Sequence, residues 1–468
     1  MKKKSVYLIG IKGVAMTALA VYFTQKGYKV SGSDVSDKFL TDKVLSDFHI
    51  PIKKGFQAEN IDQKYDLVVV TGAHGGMTNP EAVAAKTSGI PVFMHGQILG
   101  GLMSEKEGIS VAGCHGKTTT SALIASLLTH AGADPSYAVG AASINDLGPA
   151  GHFGRGAYFV AEADEYMTCP VTCKTPRFLW QKPKILIITN IEYDHPDAFA
   201  NIEETKKTFA EFTNNLPTDG VVVACADDRN ITQVLPSIHK QVITYGFSPK
   251  ADFRIERFYF GDGRSFMKVN HQGISLGEYM INLAGKHNLL NMLGGSIVAN
   301  LAGIDWDKIR DNLQFFTGTK RRFEKIGMYN DIMLYDDYGH HPSEIKATIA
   351  GAREWFADRR LIAIFQPHTY SRTKSLFNEF AKAFVHADMV IITDIFPSAR
   401  ESFDSTISSK MLAIEANKYK KHVHYCPNKS DTLSFLNDKV AGGDIIITMG
   451  AGDIYTWQSD IIKLLKAR

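Results

Sequence analysis

The strongest chemical signal in this chain is Gly113-Cys114-His115-Gly116-Lys117-Thr118-Thr119. An apolar run at 109–112 precedes it, and Leu123, Ile124, Leu127 and Leu128 follow at helical spacing. Glycines let successive backbone N–H groups turn inward around a phosphate, and a helix N-terminus adds positive partial charge. Lys117 has the reach for β- and γ-phosphates, and the Thr118 hydroxyl is a ligand type for Mg2+. Val111 stands where a full G-x-x-x-x-G-K-T loop has its first glycine. A chance Gly-Lys-Thr turn is the alternative. The strand before it and the helix after it predict a nucleotide site.

Two acidic segments also follow apolar runs. Ala161-Glu162-Ala163-Asp164-Glu165 comes after 158–160, and Thr189-Asn190-Ile191-Glu192-Tyr193-Asp194-His195 comes after 185–188. Carboxylates at the C-terminal edge of a parallel strand can hold a phosphate-bound metal. The first segment alone reads equally well as a solvated turn, and a lone His after a strand is more often structural or exposed. Glu162 and His195 at two strand ends beside one phosphate loop predict a metal site.

Gly10-Ile11-Lys12-Gly13-Val14-Ala15 approximates a dinucleotide fingerprint, and Asp34 lies 24 residues after Gly10, at the end of the next strand. Lys12 and Ala15 replace two of its glycines, which argues against a nicotinamide dehydrogenase. A diphosphate such as that of UDP still suits this helix N-terminus. Asn288 and Asn291 are three apart on one helical face and can read an adenine edge, although Asn288 also suits a helix cap. The adjacent Arg321 and Arg322 can bind phosphate or form a surface pair. Asp336-Asp337-Tyr338-Gly339-His340-His341-Pro342 and Phe365-Gln366-Pro367-His368-Thr369-Tyr370-Ser371-Arg372 each follow a strand-like run. Polar sequence at so many strand ends predicts a ligand cleft along them.

The elements that must position these residues fall into three blocks. Strand-like runs at 6–9, 28–30, 67–70 and 92–94 alternate with helical patterns, as in a parallel sheet with crossover helices. A second block from about Gly108 has strands at 109–112, 158–160, 185–188 and 221–223. Runs at 253–260 and 266–269 flank Gly261-Asp262-Gly263 as a hairpin, so this block is mixed. A third block from about Gly318, with strands at 332–335, 361–365, 389–392, 422–425 and 445–449, is again doubly wound. The length of 468 residues fits about three domains.

Composition removes several classes. Apolar residues at 44% and charged residues at 22% exclude a disordered, collagenous or coiled-coil chain. The formal charge of +3 argues against a strongly basic nucleic-acid binder. Five scattered cysteines predict a reduced, cytoplasmic protein. Cys169 and Cys173 are four apart, but no second Cys/His pair follows at zinc spacing. The start MKKKSVYLIG imitates a signal peptide, yet Lys12 interrupts its apolar run. No uncharged apolar stretch is long enough to predict a membrane span.

Taken together and in order, these residues resemble the Mur ligase family of peptidoglycan synthesis. The resemblance covers essentially the whole chain: GIKGVAM, SGSD, NPE, GCHGKTTT, EADE, TNIEYDH, AGKHNLLN, GTKRRFE, DDYGHHPSE, FQPHTYSRT and MGAGDI. It implies an α/β protein of three domains. They are a Rossmann-like UDP-binding domain (1–106), a central mixed-sheet ATPase domain (107–316) and a Rossmann-like C-terminal domain for the amino-acid substrate (317–468). It implies ATP- and Mg2+-dependent ligation of L-alanine to the lactyl carboxylate of UDP-N-acetylmuramate, by a monomer or homodimer whose domains close for turnover.

By motif, Gly113, Cys114, His115, Gly116, Lys117, Thr118 and Thr119 would hold the phosphates, and Thr118, Glu162 and His195 the metal. Asn190 would sit near the transferring group. Asn288 and Asn291 would hold adenine, with Arg322 and Asp337 completing the nucleotide site. Gly10, Gly13, Ser33 and Asp34 would hold the UDP-sugar, and His340, His368 and Arg372 would approach the reacting carboxylates. Three features depart from the alanine-adding pattern. Lys12 replaces a glycine, Tyr166-Met167 follows Glu165, and 33 residues separate Glu162 from His195. The last two resemble the recycling member that adds a murein tripeptide. FQPHTYSRT and the run 392–401 resemble the alanine-adding member and carry more weight, because the third domain presents the amine.

Overall fold

The computed structural model describes residues 3–62, 65–194, 198–261, 263–397 and 401–467. Contacts divide the chain into two compact units. One comprises 1–258, 266–281 and 289–320, and the other 259–265, 282–288 and 321–468.

The first unit holds the N-terminal sheet and nearly all of the larger central sheet. The N-terminal sheet is parallel, in the order Ile52–Lys54, Lys29–Asp34, Ser5–Ile9, Leu67–Val70, Val92–Met94. Val6, Leu8 and Ile9 are fully buried, as continuous apolar runs in a sheet covered on both faces must be. Ser5–Ile9 has Lys29–Asp34 on one side and Leu67–Val70 on the other. Its C-terminal end is therefore a switch point, and Gly10–Gly13 sits there.

The central sheet has ten strands: Ile274–Ile281, Arg264–His271, Phe253–Gly261, Gln241–Gly246, Val221–Cys225, Ile185–Ile188, Glu107–Ala112, Tyr158–Ala163, Ser136–Ile144 and Gly148–His152. The run from Gln241–Gly246 to Ser136–Ile144 is parallel, and Gly148–His152 returns antiparallel. The mixed sheet and the neighbouring strands at 253–261 and 264–271 match the sequence reading; Asp262 between them lies outside the described residues. Ser136–Ile144 and Gly148–His152 carry no apolar run that would announce them. They are rich in Ala and Gly because helix Val14–Gln25 lies directly on them: a Cβ at Gly151 would fall 2.0 Å from Ala18 O. Leu19, Tyr22 and Phe23 of that helix share one core with Phe159 and Ala161 of the central sheet. The first two predicted blocks are thus packed as one body.

The residues between Glu162 and His195 include a small hairpin, Met167–Cys169 with Cys173–Pro176, in which Cys169 lies opposite Cys173. A Cβ at Gly72 would fall 2.1 Å from Thr168 O, and one at Gly76 would fall 2.4 Å from Cys169 Sγ. The long interval is spent on a strut against the N-terminal sheet.

The second unit has a six-stranded sheet, Glu324–Tyr329, Ile332–Asp337, Asp444–Met449, Arg360–Phe365, Met389–Ile392 and Val423–Tyr425. Only its first pair is antiparallel. Apolar clusters around Phe365, Phe380 and Phe384 and around Ile446, Ile461 and Leu465 form its cores. Glu324–Tyr329 escapes sequence detection because this edge strand is only partly buried and has no continuous apolar run.

Candidate nucleotide and ligation site

Strand Glu107–Ala112 lies between Tyr158–Ala163 and Ile185–Ile188, with Ala112 opposite both Ala163 and Ile188. The three polar segments therefore leave the sheet at one level. Gly113 has φ 136° and Gly116 φ 80°, and helix Lys117–His130 starts directly after Gly116. A Cβ at Gly113 would fall 2.1 Å from Thr189 Oγ1, and one at Gly116 would fall 2.5 Å from Asn291 Oδ1. Both conformation and space demand glycine.

Asn190 shapes the loop. The His115 N–H donates to Asn190 Oδ1 at 2.9 Å, and Asn190 Nδ2 donates back to His115 O at 2.8 Å. Thr189 Oγ1 donates to the same carbonyl at 2.6 Å. Lys117 Nζ donates to Gly113 O at 2.5 Å and to Glu165 Oε2 at 2.9 Å. Burial pulls the Lys117 pKa down, but the Glu165 and Asp164 carboxylates overcome it and hold the ammonium charged. The Cys114 thiol sits on Glu192 O and Glu192 N at 3.1 Å each. Burial pushes its pKa well up, so it packs rather than reacts.

Thr118 is buried in the first turn of the helix. Glu162 Oε1 accepts the Gly140 N–H at 2.6 Å, and a Cβ at Gly140 would stand 2.8 Å from Glu162 Oε2. The absent side chain at 140 leaves room for that carboxylate. Thr118 and Glu162 are hard oxygen donors at the phosphate end of the helix, the donor type Mg2+ takes. His195 lies outside the described residues.

The N-terminal turn is built differently. Asp34 accepts the Lys12 N–H at 2.7 Å and the Val35 N–H at 2.8 Å, so its carboxylate is spent on the turn. Lys12 Nζ donates to Asp37 O at 2.7 Å and pairs with Asp42 at 3.4 Å. The side chain that replaces a glycine is thus drawn away from helix Val14–Gln25. Ser33 lies beneath this turn. It is fully buried and its hydroxyl donates to Glu81, which also accepts from Tyr7 at 3.2 Å and Asn60 at 2.5 Å. Through Glu81 the Ser33 side chain braces the turn from behind.

In the second unit, Asp337 ends strand Ile332–Asp337 and accepts the N–H groups of Phe323 at 2.8 Å and Gly339 at 2.7 Å. Burial pushes its pKa up to about 6, against the pull of Arg322 and these two donors. The paired arginines divide. Arg321 is buried against Asp336 at 2.9 Å, and Arg322 lies beside Glu344 at 3.4 Å. The His340 and His368 rings are 6.3 Å apart, and Arg372 Nη1 is 3.4 Å from His368 Nδ1. Burial and the Arg372 charge lower the His368 pKa to about 4, so this imidazole is neutral at pH 7. Asn288 belongs to this unit and donates to Ala284 O at 2.7 Å, whereas Asn291 belongs to the first.

Family models cover most of the chain. The Mur ligase family catalytic domain matches 5–107, the Mur ligase middle domain 111–299, and the glutamate ligase domain of Mur ligases 321–452. The chain belongs to the Mur ligase family. A Mur ligase of Trichlorobacter lovleyi, named UDP-N-acetylmuramate–L-alanine ligase, is 39% identical over 99% of each chain. Among solved Mur ligases, the UDP-N-acetylmuramate–alanine ligase of Thermotoga maritima has a TM-score of 0.82 at 26% identity, covering 99% of this chain and 100% of that one. A murein peptide ligase of Psychrobacter arcticus has 0.74 at 25% identity, covering 99% of each.

Sequence reasoning missed some residues of this Mur ligase site. Glu165 lay in a segment it singled out, but nothing in the spacing says which carboxylate meets Lys117. Gly140 carries no motif, and nothing in the segment 189–195 says that Thr189 meets the His115 carbonyl. Their roles come from strand neighbours far away in sequence. Among the described residues, no helix is long and apolar enough to cross a membrane.

Proposed function

We infer that this chain is an ATP-dependent ligase joining L-alanine to the lactyl carboxylate of UDP-N-acetylmuramate, with release of ADP and phosphate, in cytoplasmic peptidoglycan precursor synthesis. One observation carries the reading: Ala112, Ala163 and Ile188 end at one level, so Lys117, Glu162 and Asn190 surround one glycine cradle. The name of the full-length relatives selects alanine over the tripeptide. The extra residues after Glu162, which raised the tripeptide alternative, form the strut hairpin.

The chemistry assigns the parts. A carboxylate resists attack by an amine. Phosphorylation makes it an acyl phosphate, and the alanine amine then attacks through a tetrahedral intermediate. Both steps gather negative charge. The N–H groups of the first helical turn, 117–119, and the Lys117 ammonium would face the phosphates, while those of Cys114 and His115 hold the loop to Asn190. Mg2+, with Thr118, Glu162 and His195 as its ligands, would neutralise phosphate charge when bound. Asn190 holds the loop in shape. Asn288, Asn291, Arg322 and Asp337 serve the nucleotide, and Gly10 and Gly13 the UDP diphosphate. Asp34 fixes their turn. His340, His368 and Arg372 serve the carboxylates, and His368 does so as a neutral ring. We read 1–106, 107–316 and 317–468 as the three functional domains.

ADP release tests this reading. It should need UDP-N-acetylmuramate and L-alanine together, and the tripeptide should not replace alanine. Release that ignores the amine overturns the assignment.

A further inference from the structure

His95 follows strand Val92–Met94 of the N-terminal sheet, and Asp164 follows strand Tyr158–Ala163 of the central sheet. Both stand at the ligand-bearing C-terminal edge of their sheets. One side chain joins them. Arg177, the first residue after the hairpin, donates from Nη2 to His95 Nδ1 at 2.5 Å and from Nη1 to Tyr166 Oη at 2.5 Å. Its Nη1 also pairs with Asp164 Oδ2 at 3.1 Å, and Tyr166 Oη donates to the same oxygen at 3.0 Å. The backbone closes this corner: Arg177 N donates to Tyr166 O and Phe178 N to Asp164 O, each at 2.9 Å.

The arrangement has a direction. A guanidinium only donates, so His95 accepts at Nδ1 and its ring is neutral. Burial and the Arg177 charge push the His95 pKa well down, in agreement. Burial opposes the Arg177 charge, but Tyr166, Asp164 and Glu162 sustain it. Between Asp164 and Tyr166 lies Glu165, which holds Lys117. Fixing 164 and 166 to His95 therefore sets where the phosphate-loop lysine rests.

We propose that Arg177 is the positioning residue that couples the nucleotide-sugar half of the first unit to its phosphate-loop half, through His95 on one side and Asp164-Glu165-Tyr166 on the other. This rests on the ligase reading above. Coupling of this kind is a free energy shared between two sites, so each ligand should tighten the other. Planar, forked donation is needed to reach both sides, so lysine is a poor substitute.

The test measures UDP-N-acetylmuramate affinity by calorimetry, with and without a non-hydrolysable ATP analogue, together with kcat and both KM values. Wild type should bind the sugar nucleotide about tenfold more tightly with the analogue present. Arg177→Lys should bring that factor near one and lower kcat about tenfold. Each ligand alone should still bind within about twofold of wild type. His95→Gln, whose amide oxygen can accept the same bond, should keep the coupling, whereas His95→Leu should lose it. This pair stands in if Arg177 variants fail to fold. Unchanged coupling in both Arg177→Lys and His95→Leu overturns the proposal, as does equal loss in His95→Gln and His95→Leu. A wild-type protein that turns over but shows no coupling overturns the proposal alone. One that neither binds UDP-N-acetylmuramate nor releases ADP with it overturns the ligase reading as well.

Discussion

The N-terminal turn and the phosphate loop have one local plan, a buried strand, a glycine-bearing turn and a helix N-terminus. They differ in what surrounds the lysine each contains. Lys117 is lodged against Glu165 and the loop carbonyls Gly113 O and Cys114 O, where a phosphate would displace its backbone contacts. Lys12 is drawn off to Asp37 O and Asp42, and Asp34 takes its N–H. One turn thus keeps its lysine inside the loop on a buried carboxylate, and the other sends its lysine out to a neighbouring carbonyl and carboxylate. A glycine turn before a helix suits an anion, and side chains from neighbouring strands then make two such turns chemically different.

The largest effect expected is at Lys117. Lys117→Met should lower turnover about a thousandfold, the scale of losing a principal electrostatic contact in the transition state. It should also take away the ammonium that the buried Glu165 carboxylate pairs with, costing about 3–5 kcal/mol of stability. Adding Glu165→Gln should restore the denaturation midpoint without restoring turnover. If turnover returns as well, the lysine is structural and the two turns do not differ as described.

Next is Gly140→Ala. Its φ suits alanine, but the new methyl group presses on the Glu162 carboxylate. We expect kcat to fall about tenfold to a hundredfold, with a higher Mg2+ requirement, because small misplacements of reacting groups are costly. A magnesium titration of activity reads this directly, and an unshifted curve removes Glu162 from the metal.

The Asp337 carboxyl, with its pKa near 6, predicts an acid limb in kcat/KM for ATP at about that pH. The limb should be absent from Asp337→Asn, whose rate is low throughout. The stability sign is opposite. A carboxyl with a raised folded pKa favours the folded state below about pH 4. That contribution, up to about 3 kcal/mol, is lost as pH climbs past about 6. Denaturation midpoints across pH 4 to 7 should show the slope in the parent and lack it in the variant.

The smallest effect belongs to the other turn. Lys12→Gly removes the side chain and frees the segment that Lys12 ties through Asp37 and Asp42. The KM for UDP-N-acetylmuramate should rise about threefold, the scale of a partly exposed ion pair and hydrogen bond, with KM for ATP unchanged. A tenfold or larger change would put Lys12 on the diphosphate and narrow the contrast with Lys117.

The class of chemistry is written in the order of residues alone. Glycine spacing before Lys117-Thr118 is local, since backbone conformation and helix direction depend on few neighbours, and so the phosphate cradle is legible without coordinates. The continuous apolar strands and their polar ends are legible for the same reason, because burial on both faces leaves a mark in every residue. Strand order is different. The folded chain was needed to show that Glu107–Ala112 lies between Tyr158–Ala163 and Ile185–Ile188, that Glu165 rather than Glu162 meets Lys117, that Ser33 turns inward to Glu81, and that Arg177 reaches His95. Those pairings join residues tens of positions apart. They are selected by how whole sheets pack, an energy summed over many side chains that no short stretch of chain contains.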